Sequence, residues 1–135
     1  MHTKPLLMIS FFTRKKFLID YLEGFVDMHN HILPGIDDGA KNVAESIMLL
    51  KGFSEFGVTN FVATPHIMHN YYPNTPETIQ NSLDELQSGI DKTDLVVEIT
   101  AAAEHMIDAN FETILEAGKV MPLGKNYILN KHFKK

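Results

Sequence analysis

Two histidines separated by one residue, His29-Asn30-His31, open the chemistry of this chain. In an extended segment, residues two apart point the same way, so both imidazoles can meet one cation. A third histidine follows in Thr64-Pro65-His66, and a carboxylate follows in Ala103-Glu104. Asp37 and Asp38 sit between Gly35 and Gly39. Imidazole and carboxylate donors suit zinc, manganese, iron, cobalt or nickel. The pattern therefore points to a divalent-cation site with activated water as the reactive species.

Each of these residues also has a plainer reading. Asp37 and Asp38 can shape a turn with the flanking glycines. Glu45 reads better as a helix cap than as a ligand. His69 lies in a tyrosine-containing loop, solvated or lining a substrate path. His105 points away from Glu104 in an extended segment and is left out. His2 and His132 are terminal, and Tyr71 and Tyr72 read as packing. Other chemistry finds no support. There is no cysteine, hence no thiolate nucleophile, and Arg14 is the sole arginine. No GxSxG, P-loop or GxGxxG occurs.

The elements that must position these groups alternate in type. Residues 25–29 read as a strand, 42–56 as a helix, 58–63 as a second strand. Val43, Ile47, Leu50 and Ser54 fall on one helical stripe. Asn42 with Glu45 reads as a capping box and Gly57 as the stop. Thr75-Pro76 starts a second helix, with Ile79, Leu83, Leu86 and Ile90 as its apolar face. Residues 95–99 read as a third strand. Asp108 caps a short helix through Ala117, and a fourth strand starts at Tyr127. The strand starts lie one βα unit apart, which predicts an α/β fold with a parallel sheet. His29, His31, His66 and Glu104 then fall at carboxyl ends of strands, where such sheets place their chemistry. A full eight-unit barrel takes about 250 residues, so this chain supplies about three and a half units.

At 135 residues the chain reads as one domain, 24–135, preceded by an appendage, 1–23, with a short helix over 15–22. Formal net charge is −5, which argues against nucleic acid as a partner. All 17 acids lie between Asp20 and Glu116, against Lys41, Lys51 and Lys92 in the same stretch. That band is either a solvated acidic surface or the wall of a cation site. No apolar run approaches the ~20 residues of a membrane helix. Residues 5–12, apolar except for Ser10, precede the basic cluster around Arg14, the reverse of a secretory signal. They suit a frayed arm or a weak contact with a membrane surface or partner.

The stretch His29-Asn30-His31-Ile32-Leu33-Pro34-Gly35-Ile36-Asp37-Asp38-Gly39-Ala40-Lys41, with Asp27-Met28 before it, closely resembles the opening motif of a bacterial family. These are the metal-dependent protein-tyrosine phosphatases of capsule and exopolysaccharide loci, in the polymerase-and-histidinol-phosphatase (PHP) superfamily. Gly57-Val58-Thr59, Ala63-Thr64-Pro65-His66 and Ala103-Glu104 fall at matching intervals. The resemblance implies a distorted (β/α) barrel holding divalent metals, manganese above all, with zinc, iron, cobalt or magnesium as alternatives. It implies His29, His31, Asp38, His66 and Glu104 as metal ligands, and a metal-activated hydroxide that attacks phosphorus. It further implies a cytoplasmic enzyme whose substrates are phosphotyrosines of polysaccharide-assembly kinases.

The family chain carries another glutamate in its fourth strand, where this chain has Asn130-Lys131. The family's later histidine, arginine and Asp-x-His pair have no counterpart. The expectation is the front part of a barrel, C-terminally truncated, three to four βα units long. Two other functions fit that expectation. One is a non-catalytic remnant or half-barrel that binds metal weakly and pairs with a missing half or another copy. The other is a phosphoesterase of small esters such as histidinol phosphate.

Overall fold

The computed structural model describes residues 15–132. The apolar stretch 5–12, Arg14 and His2 lie outside the described residues. The helix expected over 15–22 is a single 3-10 turn, Leu18–Tyr21, closed by the Asp20 carboxylate, which accepts from Phe17 N at 3.1 Å.

Six short strands and three helices follow: β1 (Val26–Asp27), α1 (Val43–Ser54), β2 (Asn60–Ala63), β3 (His66–Ile67), α2 (Pro76–Ile90), β4 (Glu98–Ala101), β5 (Glu104–Met106), α3 (Phe111–Glu116) and β6 (Leu129–Lys131). The strands form two parallel three-stranded sheets, ordered β1-β2-β4 and β3-β5-β6. The parallel α/β architecture read from the alternation is therefore present.

Two of the expected strands continue past a break. Proline 65 has no N–H to donate to a ladder, and it separates β2 from β3. The partner strand breaks opposite it, between β4 and β5. Backbone bonds from Ala102 N to Ala63 O (2.8 Å) and from Glu104 N to Pro65 O (2.9 Å) carry the pairing across the gap. The third strand runs later than the 95–99 expected, because Leu95 and Val97 pack against the core before the ladder begins at Glu98. The fourth begins at Leu129, and Tyr127 instead bridges back to Leu123.

The helices begin where side chains satisfy their free N–H groups. Asn42 accepts from Glu45 N at 3.0 Å, while the Glu45 carboxylate accepts from Lys41 N at 2.9 Å, one residue before the expected box partner. In α2 the Thr75 and Thr78 hydroxyls cap each other's N–H groups. At the α3 entrance Asp108 shapes a turn, accepting from Asn110 N at 2.8 Å, and the helix proper starts at Phe111.

Ile79, Leu86 and Ile90 of α2 are buried with Leu50 of α1, Val58, and Phe61 of β2. The core also contains Ile32, Leu33, Ile67 and Ala103. Three of these adjoin a polar residue singled out above: Ile32 follows His31, Ile67 follows His66, and Ala103 precedes Glu104. Apolar burial of about 1.5–3 kcal/mol per large side chain thus anchors the backbone on which the polar cluster stands. Ser82 adds a tie from α2, donating to Pro34 O at 2.9 Å.

Candidate metal centre

Parallel pairing sets the centre of the site. His66 and Glu104 are register partners in β3 and β5, so their side chains share one face of the sheet. His66 Nδ1 lies 2.9 Å from Glu104 Oε2. His29 Nε2 lies 3.6 Å from Glu104 Oε1, and His31 Nε2 lies 3.9 Å from Oε2. Asp38 closes the other side, with Oδ1 3.4 Å from His66 Nε2. The five residues compose two overlapping sets, His29-His31-Glu104 and His31-Asp38-His66, and within each set the ligand atoms lie within 4.8 Å of one another. All five candidate residues come together.

The segment after β1 is held by groups that the sequence reading passed over. Thr64 Oγ1 accepts from Asn30 N at 3.1 Å and donates to Asn30 O at 3.2 Å. The Asn30 amide donates to Asp27 O and Val62 O. The residue between the two histidines is therefore a clamp onto β2, which leaves both rings on the other face. Ala40 N bonds to His31 O, and a Cβ on Gly39 would overlap that carbonyl. Glycine is required there by close approach rather than by dihedral angle. Asn74 donates to both Ile36 O and His66 O at 2.9 Å. Tyr72 stacks on the His66 ring, at 5.4 Å between centroids. Asparagine and threonine carried no periodic signal that would have exposed these roles.

The neighbouring aspartates part company. The Asp38 side chain is 60% exposed, whereas that of Asp37 is fully buried. Asp37 Oδ2 lies 2.7 Å from His31 Nδ1 and accepts from His66 N at 3.0 Å, while Oδ1 accepts from Gly39 N at 2.9 Å. The turn with Gly39 is thus real, and only part of what Asp37 does.

Charge follows this geometry. The hydrogen bond to Asp37 raises the His31 pKa against the opposing effect of burial, with further support from Glu104 and Asp38. Burial works to raise that of Asp37, but the bonds from His31, Gly39 and His66 outweigh it and hold the carboxyl below its ordinary range. His66 is pushed down, first by burial and next by the neighbouring His31 charge. Lys131 adds to that lowering. Three imidazoles and two carboxylates, with a buried floor at His66 and Glu104 and an exposed rim at His29 and Asp38, are a donor set that fits borderline divalent cations.

His105 lies outside the cluster, as its place in an extended segment required. It is fully buried, against Phe111, and its Nε2 accepts from Met121 N at 3.2 Å. Burial pushes its pKa below 6.5. The unfolded chain therefore binds a proton near pH 6.5 that the folded chain refuses. Stability is intact above that pH and falls as pH drops toward the folded value. One such proton gives a slope of up to about 1.4 kcal/mol per pH unit. Thermal unfolding in chelator between pH 8 and 5.5 is expected to show a shallower decline for His105→Gln. Parallel profiles for the two proteins would remove His105 as the cause.

Comparison with known proteins adds to this geometry. A family model described as "Capsular polysaccharide synthesis, CpsB/CapC" matches residues 25–134. The chain is 48% identical to CapC of Staphylococcus aureus over 63 residues, covering 47% of this chain and 25% of that protein. It is 31% identical to tyrosine-protein phosphatase YwqE of Bacillus subtilis (strain 168) over 105 residues, 77% of this chain and 41% of YwqE. Among solved structures it matches a chain from the study of YwqE from Bacillus subtilis and CpsB from Streptococcus pneumoniae, described as unique metal-dependent tyrosine phosphatases. The TM-score is 0.71 at 30% identity, over 80% of this chain and 44% of that one. The chain spans less than half the length of each of these relatives.

Proposed function

The chain belongs to the CpsB/CapC family of capsular polysaccharide synthesis, and from that membership we propose that it carries the metal centre of a phosphatase acting on phosphotyrosine in proteins. The observation that carries this reading is the convergence of His29, His31, Asp38, His66 and Glu104, from the segments that follow β1, β2 and β4, into two overlapping ligand sets. Polysaccharide-assembly tyrosine kinases are the substrate class we assign, and manganese the metal.

The five side chains would hold the cations. Bound there, divalent metal supplies Lewis acidity toward a phosphoryl oxygen and water of lowered pKa. The protein's own groups set the terms. Asp37, Asp38 and Glu104 disfavour a phosphate dianion at the bare site, a charge that divalent cations held by the five side chains would offset. The buried floor at His66 and Glu104 shields the inner donors from competing water. The exposed His29 and Asp38 leave one open side, from which a tyrosyl phosphate on a protein surface can approach. Tyr72, stacked on His66, limits how far that ring can turn.

The test is phosphate release from phosphotyrosine peptides by the 135-residue chain, with manganese and with chelator. Release is expected with manganese alone and is expected to vanish in His66→Ala. A preference for histidinol phosphate would replace the substrate class. Stoichiometric metal uptake without hydrolysis of either ester would make the chain a metal-binding domain rather than a catalyst.

A further inference from the structure

Asp37 touches the cluster but belongs to neither ligand set. Its side chain is fully buried, and both oxygens are occupied by donors: Oδ1 by Gly39 N, Oδ2 by His31 Nδ1 and by His66 N. Little lone-pair capacity is left for a cation. What those bonds do instead is specific. A carboxylate on Nδ1 holds the proton there and leaves Nε2 with its lone pair. In His31 that Nε2 is the atom that faces Glu104. The same Asp37 oxygen takes the backbone N–H of His66, 29 residues further along the chain.

We propose that Asp37 is a positioning residue of the metal centre. It fixes the tautomer and ring direction of His31, and it locks the His31 and His66 segments into one register. The proposal rests on the metal reading above. Ligating histidines commonly donate their second ring N–H to a carboxylate, and losing that partner typically lowers metal affinity 10–100-fold. The two adjacent aspartates thus divide the work: Asp38 faces the His66 ring from the rim, and Asp37 orders the floor from behind.

Asp37→Asn is close to isosteric and separates this role from bulk. In either amide orientation an NH2 faces another donor, at Gly39 N or at His31 Nδ1 and His66 N. In the second orientation His31 relieves its own share of the conflict by moving its proton to Nε2, which removes the lone pair that a cation needs, while the His66 N–H stays opposed to the amide. Two measurements decide the matter. Imidazole 15N spectra of the metal-free chain at pH 8 are expected to show His31 as the Nδ1–H tautomer, moving toward Nε2–H in Asp37→Asn. Manganese titration by calorimetry is expected to show a 10–100-fold weaker affinity for that variant. A wild-type His31 protonated on Nε2 overturns the proposal even if the variant does not fold. So does weakened binding with an unchanged tautomer, which is what mere loosening of the loop would produce. A wild-type chain that takes up no manganese sinks the metal reading, while the tautomer result still decides what Asp37 does to His31.

Discussion

A Glu104→Gln chain is expected to lose manganese affinity by at least about 100-fold, the upper end of what removing an outer partner of a ligand costs. The reason is its place. Among the described residues, Glu104 is the acidic residue whose carboxylate lies within 4 Å of a ring nitrogen of His29, His31 and His66 alike. Glutamine keeps the volume but removes the charge, and its NH2 adds a donor where the imidazoles already crowd. A cation there would then face the three histidines with only the exposed Asp38 for compensation. A second readout is independent of metal. Glu104 raises the pKa of both His31 and His66, so both are expected to fall in the variant. Calorimetric metal titration and histidine NMR titrations check the two halves. An unchanged manganese affinity, with the histidine pKa values where they were, would remove Glu104 from the centre.

The second large effect lies in the core. Phe61→Ala is expected to destabilise the chain by about 3–5 kcal/mol. Phe61 is 2% exposed and sits on β2, the middle strand of its sheet. Its ring packs edge-on against Phe53 at 5.9 Å, which ties the sheet to α1. Small domains hold only about 5–15 kcal/mol in all, so this loss is a large share. It also reaches the site, because β2 leads through Thr64 to His66 and clamps Asn30 on the way. Urea unfolding gives the magnitude. A change under about 1 kcal/mol would mean that the sheet does not rest on this ring.

Much of this molecule is legible in its residue order. Caps at Asn42 and Thr75, the stripe Ile79-Leu86-Ile90 and the spacing of apolar runs are local signals, and local hydrogen bonds and helical periodicity enforce them. The strand boundaries are less legible. Leu95 and Val97 are apolar because they touch the core, and burial does not require a ladder bond. Pro65, with no N–H to donate, separates β2 from β3.

The site divides the same way. That His29, His31, His66 and Glu104 come shortly after β1, β2 and β4 follows from alternation alone, since a βα repeat returns the chain to one edge each time; that His66 and Glu104 themselves open β3 and β5 does not. Which groups touch is another matter. That Glu104 lies among three imidazoles depends on the β3–β5 register. That Asp37 binds His31 and His66, while Asp38 looks outward, depends on how the 35–40 loop closes over Gly39. Asn30 becomes a clamp because Thr64 arrives opposite it. These contacts join residues up to 75 positions apart, from His29 to Glu104. Residue type and spacing determined which donor groups the chain offers and that they come shortly after β1, β2 and β4. The folded chain alone decided their partners, because distance in space is set by packing that no local pattern contains.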